Sequence, residues 1–247
     1  MVDHDPDAET GNDADALARF SEPVASWFRS TFPAPTPPQT QGWPAIADGD
    51  HTLILAPTGT GKTLSAFLWA LDRLAVDPVP DDATARTRVL YLSPLRALAV
   101  DVEKNLRAPL RGIGLAAERL GASVHTPTVG IRSGDTSADD RRRLVRHPPD
   151  ILITTPESLY LMLTSKARET LANVQHVIID EIHAMAGTKR GAQLMLSLER
   201  LEELCADPPQ RLALSATQRP LDEIARFLGG STAGSDGAPT PRPVTVV

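Results

Sequence analysis

The chain has 247 residues, of which 41% are hydrophobic and 23% charged. This length suffices for one large domain with a substantial core. It contains no apolar run long enough to cross a membrane and no basic and apolar N-terminal signal, so we expect a soluble, cytoplasmic protein without a membrane partner. Its single cysteine, Cys205, excludes an internal disulfide.

The net charge of -6 is unevenly distributed along the chain. Six of the 31 acidic residues lie within residues 1–15, so the other 25 acids equal the 25 Lys and Arg residues. Residues 1–16 have few large apolar groups and are predicted to form a disordered acidic tail. Elsewhere, two basic regions are either phosphate-contacting patches or solvated helix faces. They comprise Arg86, Arg88, Arg96, Lys104, Arg107 and Arg111, and then Arg132, Arg141, Arg142, Arg143 and Arg146.

The first predicted element is a helix over residues 20–32. Phe20, Val24, Trp27 and Phe28 recur there at helical spacing. Four prolines at positions 33–38 are then expected to hold the backbone extended as far as Gln39. A proline-rich linker explains the same composition.

The next elements form a phosphate loop. An apolar run at residues 52–55 predicts a buried strand, and the periodic segment 64–74 predicts a helix. The glycines between them let backbone N–H groups face phosphate oxygens at the start of the helix, Lys62 can reach the β- and γ-phosphates, and the Thr63 hydroxyl can ligate Mg²⁺. The predicted nucleotide-binding residues of this loop are Thr58, Gly59, Thr60, Gly61, Lys62 and Thr63.

The match to the Walker pattern is incomplete, because Ala56 stands where the strict pattern has glycine. A chance Gly-Lys-Thr at a helix start is the alternative. The strand before the loop and the helix after it favour the phosphate loop.

Three further strands are predicted over residues 88–92, 128–132 and 150–154. The first ends in residues 93–99 and the second in Ser133-Gly134-Asp135-Thr136. The third ends in Thr155-Pro156-Glu157, which has the chemistry of a helix start: an N-cap, a proline and an acid in the first turn. That interpretation requires no ligand.

A fifth strand over residues 174–179 leads into Asp180 and Glu181. An acid at the carboxyl end of a buried strand is placed to hold Mg²⁺, which is the predicted role of Asp180. Glu181 is predicted to act as general base on the attacking water. His183 has no second metal-ligand residue at helical spacing, which disfavours a metal site. A sixth strand, at residues 211–214, precedes Ser215-Ala216-Thr217, and from Gly229 the composition is typical of a linker.

These motifs, in this order, resemble the first RecA-like motor domain of superfamily 2 helicases. More narrowly, residues 131–136 and 180–191 are similar to the Lhr, or large helicase-related, family. The resemblance implies an α/β fold with a mostly parallel central sheet and helices on both faces. It places the domain at residues 17–230 and a linker at 231–247, toward a second RecA-like domain that this sequence does not contain.

The resemblance also implies roles for individual residues. Gln39 would read the adenine edge, and Phe20, more than Trp27, would stack on the base, although helix packing explains both aromatics equally well. Three residues would couple the nucleotide and nucleic-acid sites: His183, Ser215 and Thr217. Contacts to the nucleic-acid backbone are expected from Arg96, Gly134, Asp135, Thr136, Thr155, Pro156 and Glu157.

The implied activity is Mg²⁺-dependent ATP hydrolysis coupled to 3′-to-5′ movement on single-stranded DNA or an RNA:DNA hybrid. A second RecA-like domain, in cis or in trans, would supply arginine fingers worth on the order of 10³ to 10⁵ in rate, so we expect the chain alone to be poorly active. One alternative is a non-catalytic module that needs a second half. Another, a P-loop kinase or transporter ATPase, leaves Gln39, Thr155–Glu157 and Ser215–Thr217 unexplained.

Overall fold

The computed structural model describes residues 16–57, 60–216, 220–233 and 237–247, so all but the last residue of the predicted tail at 1–16 lies outside the described residues. The helices are α1 (Glu22–Thr31), α2 (Pro37–Ala47), α3 (Lys62–Val76), α4 (Arg96–Arg119), α5 (Ala138–Arg146), α6 (Pro156–Leu163), α7 (Lys189–Leu204) and α8 (Leu221–Gly229). The strands are β1 (Thr52–Leu55), β2 (Val89–Leu92), β3 (Val129–Arg132), β4 (Ile151–Thr154), β5 (His176–Ile179), β6 (Gln210–Ser215), β7 (Ser231–Ala233), β8 (Pro239–Pro241) and β9 (Thr245–Val246). Short 3₁₀ helices span Ala83–Arg86, Lys166–Leu171 and Ile182–Ala184. Among the described helices, none has the length and apolarity needed to cross a bilayer.

Seven strands form one sheet in the order β3-β4-β2-β5-β6-β1-β9. Each neighbouring pair in this sheet is parallel. The central strands are short, apolar and buried on both faces, as a parallel sheet between helical layers requires. This confirms the predicted α/β fold.

Helices cover both faces of the sheet and divide the core in two. On one face, residues of α1 to α4 such as Phe28, Trp43 and Phe67 pack on the strands. On the other face, α6, α7 and α8 contribute residues such as Leu159 and Leu198. Successive strand residues alternate between the two clusters, because side chains along a strand point to opposite faces.

The proline-rich segment differs from the prediction of extended backbone as far as Gln39. Extended backbone ends at Thr36, and Pro37 begins α2, because proline fits the first helical turn, where its missing N–H has no intrahelical partner anyway. Gln39 accepts a hydrogen bond from the Thr36 N–H at 2.8 Å through its Oε1. Gln39 therefore caps the helix that carries it.

The C-terminal segment also differs from the linker predicted over residues 231–247. Strand β9 pairs in parallel with β1, and the Leu55 N–H donates to the Val247 carbonyl at 2.7 Å. Arg242 fixes the segment before β9 by ion pairs to Glu199 at 2.9 Å and Glu202 at 2.6 Å. The sequence did not predict β9, because a strand of two residues has no recognisable pattern within a Gly- and Pro-rich segment.

Candidate functional site

The predicted functional loops lie at the carboxyl edge of the sheet, where the order of strands separates them into two groups. Strands β5, β6 and β1 are neighbours and precede the predicted nucleotide-binding and coupling residues. Strands β3, β4 and β2 form the other half and precede the predicted nucleic-acid loops. Ligands of open parallel sheets bind at this edge.

The described part of the phosphate loop has the backbone that a glycine at position 61 predicts. Gly61 has a φ of +83°, a left-handed conformation that favours glycine, and it caps the N-terminus of α3. A Cβ at Gly61 would lie 2.9 Å from Gln39 Nε2, so the loop and α2 approach closely here. Thr60 Oγ1 donates to the Pro57 carbonyl at 2.7 Å. Thr58 and Gly59 lie outside the described residues.

A cavity of about 630 Å³ brings the two halves of the predicted nucleotide site together. Gln39, Gly61, Lys62 and Thr63 line it from α2 and α3, and Asp180 and Glu181 line it from the end of β5. The helix N-terminus and Lys62 suit phosphate groups. A hydroxyl and a carboxylate are oxygen ligands of the kind that Mg²⁺ prefers, so these residues fit a magnesium nucleotide.

Lys62 is buried, and Asp180 is partly buried. Lys62 is only 8% exposed, and its Nζ lies 3.5 Å from the Ser215 carbonyl oxygen. Burial raises the pKa of Asp180, although the neighbouring Tyr91 hydroxyl opposes the shift. A cation held close to Asp180 would favour its charged form, as metal binding requires.

Glu181, which lines the cavity, forms a connected group with His183 and Ser215. His183 Nδ1 lies 3.3 Å from Glu181 Oε2 and 3.1 Å from Ser215 Oγ. The Ser215 hydroxyl donates to the Ala216 carbonyl at 2.9 Å, so an Nδ1–H of His183 has two acceptors in reach. The group joins the ends of β5 and β6, as the predicted coupling role requires. Thr217 lies outside the described residues.

The aromatic prediction is wrong for Phe20. Its ring packs edge-on against Trp43 at 5.0 Å and Trp69 at 5.7 Å, in the buried layer beneath α3. Trp27 and Phe32 line the cavity instead. Helical spacing cannot distinguish an aromatic that faces a cavity from one that faces the core.

The loop after β4 is a capped helix start. The Thr155 hydroxyl accepts from the Ser158 N–H at 3.4 Å, Pro156 occupies the first turn, and Glu157 follows. Thr155 and Pro156 are buried, whereas Glu157 is exposed. The structural interpretation of this motif is therefore confirmed.

The loop after β3 is a tight turn. Thr136 Oγ1 accepts from the Ser133 N–H at 2.8 Å, and the Gly134 carbonyl accepts from Arg141 at 2.9 Å. Asp135 and Thr136 line a separate cavity of about 910 Å³ at the outer edge of the sheet. Neither this loop nor the loop after β4 lines the nucleotide cavity. A nucleic-acid site on these two loops would therefore be separate from the nucleotide site. Arg96 begins α4, and its side chain is not described.

Arg190, within the segment 180–191, is a functional candidate for which the sequence predicted no role. Its Nε donates to Glu157 at 2.5 Å, and its Nη2 donates to the Pro94 carbonyl at 2.7 Å. One guanidinium thus joins the loops that follow β2 and β4. The next residue, Gly191, lets the start of α7 pack closely on Met185, because a Cβ there would lie 2.0 Å from the Met185 carbonyl oxygen. The adjacent Arg-Gly pair was the available sequence signal.

Comparison with known proteins agrees with this geometry. A family model for DEAD/DEAH box helicases matches residues 36–224. The chain is 60% identical over 221 residues to the Lhr helicase/probable uracil glycosylase of Mycolicibacterium smegmatis, which covers 90% of this chain and 14% of that protein. It is 53% identical over 232 residues to the Lhr helicase/uracil glycosylase of Escherichia coli, which covers 92% of this chain and 14% of that protein.

Solved structures show the same relationship. Mycobacterium smegmatis helicase Lhr bound to ssDNA and AMP-PNP matches with a TM-score of 0.85 and 56% identity, over 94% of this chain and 28% of that one. The DEAD-box helicase Mss116p, bound to ssRNA and AMP-PNP, shares the fold at a TM-score of 0.72 and 18% identity. The chain spans 14% of the length of the two bacterial relatives. It belongs to the DEAD/DEAH box helicase family, and its relatives within that family include the Lhr helicases.

Proposed function

We propose that this chain is the ATP-binding motor domain of an ATP-dependent nucleic-acid helicase. It binds a magnesium nucleotide at the loops after β1 and β5 and uses hydrolysis to move on single-stranded nucleic acid, 3′-to-5′ by family resemblance. Single-stranded DNA or an RNA:DNA hybrid is the proposed nucleic-acid partner. A cytoplasmic location stays a prediction.

One observation carries this proposal: Lys62 and Thr63 share a cavity with Asp180 and Glu181. These residues are more than 100 positions apart in sequence. A chance Gly-Lys-Thr at a helix start has no reason to face two acids at the end of another strand. The intact set of charged groups disfavours the alternative of a non-catalytic module.

The proposed chemistry follows from the positions of these groups. The N-terminus of α3 and Lys62 bind the phosphates and stabilise the charge that develops on the γ-phosphate. Glu181 orients the attacking water and takes its proton. Thr63 and Asp180 would hold Mg²⁺, which neutralises charge on the β- and γ-oxygens when bound. His183 and Ser215 then connect Glu181 to the end of β6.

The nucleic-acid half of the proposal rests on the loops after β2, β3 and β4. The relative from Mycobacterium smegmatis was solved with ssDNA, which supports a single-stranded ligand for this chain. The carboxyl edge of the sheet presents Gly134–Thr136 and Thr155–Glu157 side by side, since β3 and β4 are paired. A second RecA-like domain, in cis or in trans, is the proposed source of arginine fingers.

The first test is nucleotide binding and hydrolysis by this chain, with and without single-stranded DNA. Lys62→Ala is expected to weaken binding of a non-hydrolysable ATP analogue about 10- to 100-fold, because a charged hydrogen-bond donor is lost. Glu181→Gln is expected to bind normally but to lose about 10²- to 10⁴-fold of any hydrolysis. Wild-type turnover itself is expected to be slow without arginine fingers.

Lys104→Ala is the matched control, because Lys104 is exposed on α4 and lies outside the cavity. Nucleotide affinity that falls equally in Lys62→Ala and Lys104→Ala would contradict the proposed site. Fast DNA-stimulated turnover by the wild-type chain would instead contradict the need for a second domain.

A further inference from the structure

A third cavity, of about 410 Å³, lies at the outer end of β3 and is lined mainly by cations. Its lining comprises Arg132, Arg141, Arg142, Arg146 and Lys166 together with Val145, Ser165 and Ala167. We call it the cationic cavity. It contains no acidic lining residue among those described, and its cations come from β3, α5 and the 3₁₀ helix at Lys166–Leu171.

Most of the positive charge of the cationic cavity is uncompensated. Within the described chain, the side chains of Arg132, Arg146 and Lys166 form no ion pair, and only Arg142 has an acidic partner, Asp139. Arg141 contacts a carbonyl, and its Nε is buried without a hydrogen-bond partner. Burial and then the charge of Arg141 lower the pKa of Arg132.

Arginines elsewhere in the described chain show the contrast. Arg107 pairs with Glu103 at 2.9 Å, and Arg211 pairs with Glu202 at 2.8 Å. Clustered like charges destabilise a fold unless an anion offsets them. The cationic cavity therefore has the charge pattern of a site for an anionic ligand.

The position of the cationic cavity indicates which kind of anion it binds. Arg132 is the last residue of β3 and pairs with Thr154, whose hydroxyl donates to the Arg132 carbonyl at 2.7 Å. These two strands lead directly into the loops at 133–136 and 155–157, where we propose nucleic-acid contacts. Arg141 binds the Gly134 carbonyl directly, so the cavity continues the surface of these loops.

We propose that the cationic cavity binds the phosphodiester backbone of nucleic acid beyond the loops that follow β3 and β4. This inference rests on the proposed function and extends its nucleic-acid track to the outer edge of the sheet. Cations on three separate elements suit successive phosphates better than a single small anion. The contacts carry no base specificity, because they reach only the backbone.

The test measures how strongly the full chain binds a fluorescein-labelled oligothymidylate at several salt concentrations. Fluorescence anisotropy reports the binding. The variant is the double substitution Arg146→Gln/Lys166→Gln, because both side chains are exposed and have no described partner. Each lost phosphate contact should reduce the slope of log K against log salt by about 0.7, which is about fivefold in affinity near 0.1 M salt. The double variant should therefore lose about 1.4 in slope.

The matched control is Arg107→Gln/Arg111→Gln, which removes the same charge from exposed positions on α4. Arg107 lies about 16 Å along the helix from Arg96 and thus away from the carboxyl edge. The control should keep the wild-type slope. Equal loss of slope in both double variants, or no loss in either, would overturn the proposal.

A second arm separates nucleic acid from free phosphate. Thermal unfolding is measured in orthophosphate and in chloride at equal ionic strength. Stabilisation by orthophosphate that Arg146→Gln/Lys166→Gln abolishes, with an unchanged oligothymidylate slope, would show a small-anion site and overturn the inference.

The outcome is distinguishable from failure of the proposed function. Nucleotide binding by the same variant should equal that of the wild type, because the cationic cavity is separate from the nucleotide cavity. A chain that binds both nucleotide and oligothymidylate, with a salt slope that Arg146→Gln/Lys166→Gln leaves unchanged, overturns only the present inference. A chain that binds no nucleotide overturns the proposed function.

Discussion

Glu181 has a left-handed backbone, with φ 46° and ψ 44°. It is the one non-glycine residue with positive φ in the described part of the chain. A side chain with a Cβ costs about 1–2 kcal/mol in this conformation. The backbone bends at this point, and the carboxylate lies beside His183 in the lining of the nucleotide cavity. Strained backbone of this kind clusters at functional sites.

Replacement of Glu181 by glycine and by alanine should separate strain from catalysis. Both variants lose the carboxylate, but only glycine accepts positive φ without a steric cost. Glu181→Gly should therefore be more stable than Glu181→Ala by about 1 kcal/mol, measured by urea unfolding. Neither should hydrolyse ATP. Equal stabilities would show that the left-handed conformation is relaxed in solution.

Single residues of the nucleotide site were predictable because the motif fixes both their type and their place. Lys62 and Asp180 each follow an apolar strand, and parallel strands end at one edge. The role of Arg190 was not predictable in this way. Its partners Glu157 and Pro94 are 33 and 96 positions away, and no local pattern records such a contact.

Three elements meet at Arg190: α7, the start of α6 and the turn before α4. Its hydrogen bonds lower the pKa of Glu157, so the pair remains charged over the neutral range. Because α7 follows the Asp180–His183 segment, a displacement of that segment would move Arg190 and both loops together. We therefore expect Arg190 to be a positioning residue between the nucleotide half and the proposed nucleic-acid half of the edge.

Arg190→Ala should weaken single-stranded DNA binding about fivefold to tenfold and leave nucleotide affinity unchanged, because a charged hydrogen bond of about 1–1.5 kcal/mol is lost at a half-exposed site. Arg190→Lys should recover little, since lysine lacks the planar fork that bonds two partners. Anisotropy with labelled DNA measures both variants.

Glu157→Gln distinguishes positioning from direct contact with phosphate. If Arg190 acts through Glu157, the two single variants should lose similar affinity and the double variant no more than either. Tighter DNA binding by Glu157→Gln would show that Arg190 contacts the DNA itself.

Helices and strands with a strong local sequence pattern were predicted well. Those with a weak pattern, or whose position depends on tertiary contacts, were not. The strand before the phosphate loop and the helix after it have apolar patterns that leave little ambiguity. Helix α2 begins at prolines that also suit extended backbone, and β9 is too short to carry a pattern. Its place depends on Arg242, which reaches Glu199 and Glu202 of another helix. The order of strands likewise follows from packing rather than from sequence.

At the scale of the whole molecule, Asp150 connects strands at the amino edge of the sheet, opposite the nucleotide site. This carboxylate is fully buried before β4 and accepts hydrogen bonds from Arg86 at 2.7 Å and from the Thr128 N–H at 2.7 Å. Burial alone would raise the pKa of Asp150, but the bonds from Thr128 and Arg86 outweigh it and lower the pKa. The starts of β2, β3 and β4 therefore meet at one charged group.

Asp150→Asn should destabilise the fold by about 3 kcal/mol, because it leaves buried donors and cations without their partner. For a chain of this size the melting temperature should fall by roughly 6–12 °C. Asp139→Asn, on the exposed face of α5, is the control and should change stability by less than about 0.5 kcal/mol. Nucleotide affinity should be the same in both variants, since Asp150 lies at the far edge.

The same carboxylate gives the fold an acid limit. Its contribution is present above the ordinary carboxyl pKa of about 4 and is lost as the pH falls through the lower value in the folded protein. Unfolding free energy measured against pH should show a smaller acid-side loss in Asp150→Asn than in the wild type. An identical loss of unfolding free energy in Asp150→Asn and wild type would show that other carboxylates cause the loss of stability in acid.

Strand β9 has a consequence for the exchange of backbone hydrogens with solvent. Because β9 covers the outer side of β1, the Leu55 N–H is bonded to Val247 and is shielded from water. The neighbouring Ala56 N–H is bonded to Ser215 of β6 on the other side. Exchange at Leu55 therefore reports release of the C-terminal strand, whereas exchange at Ala56 reports opening between β1 and β6. Two adjacent amides, at the entrance to the phosphate loop, record separate local unfolding events.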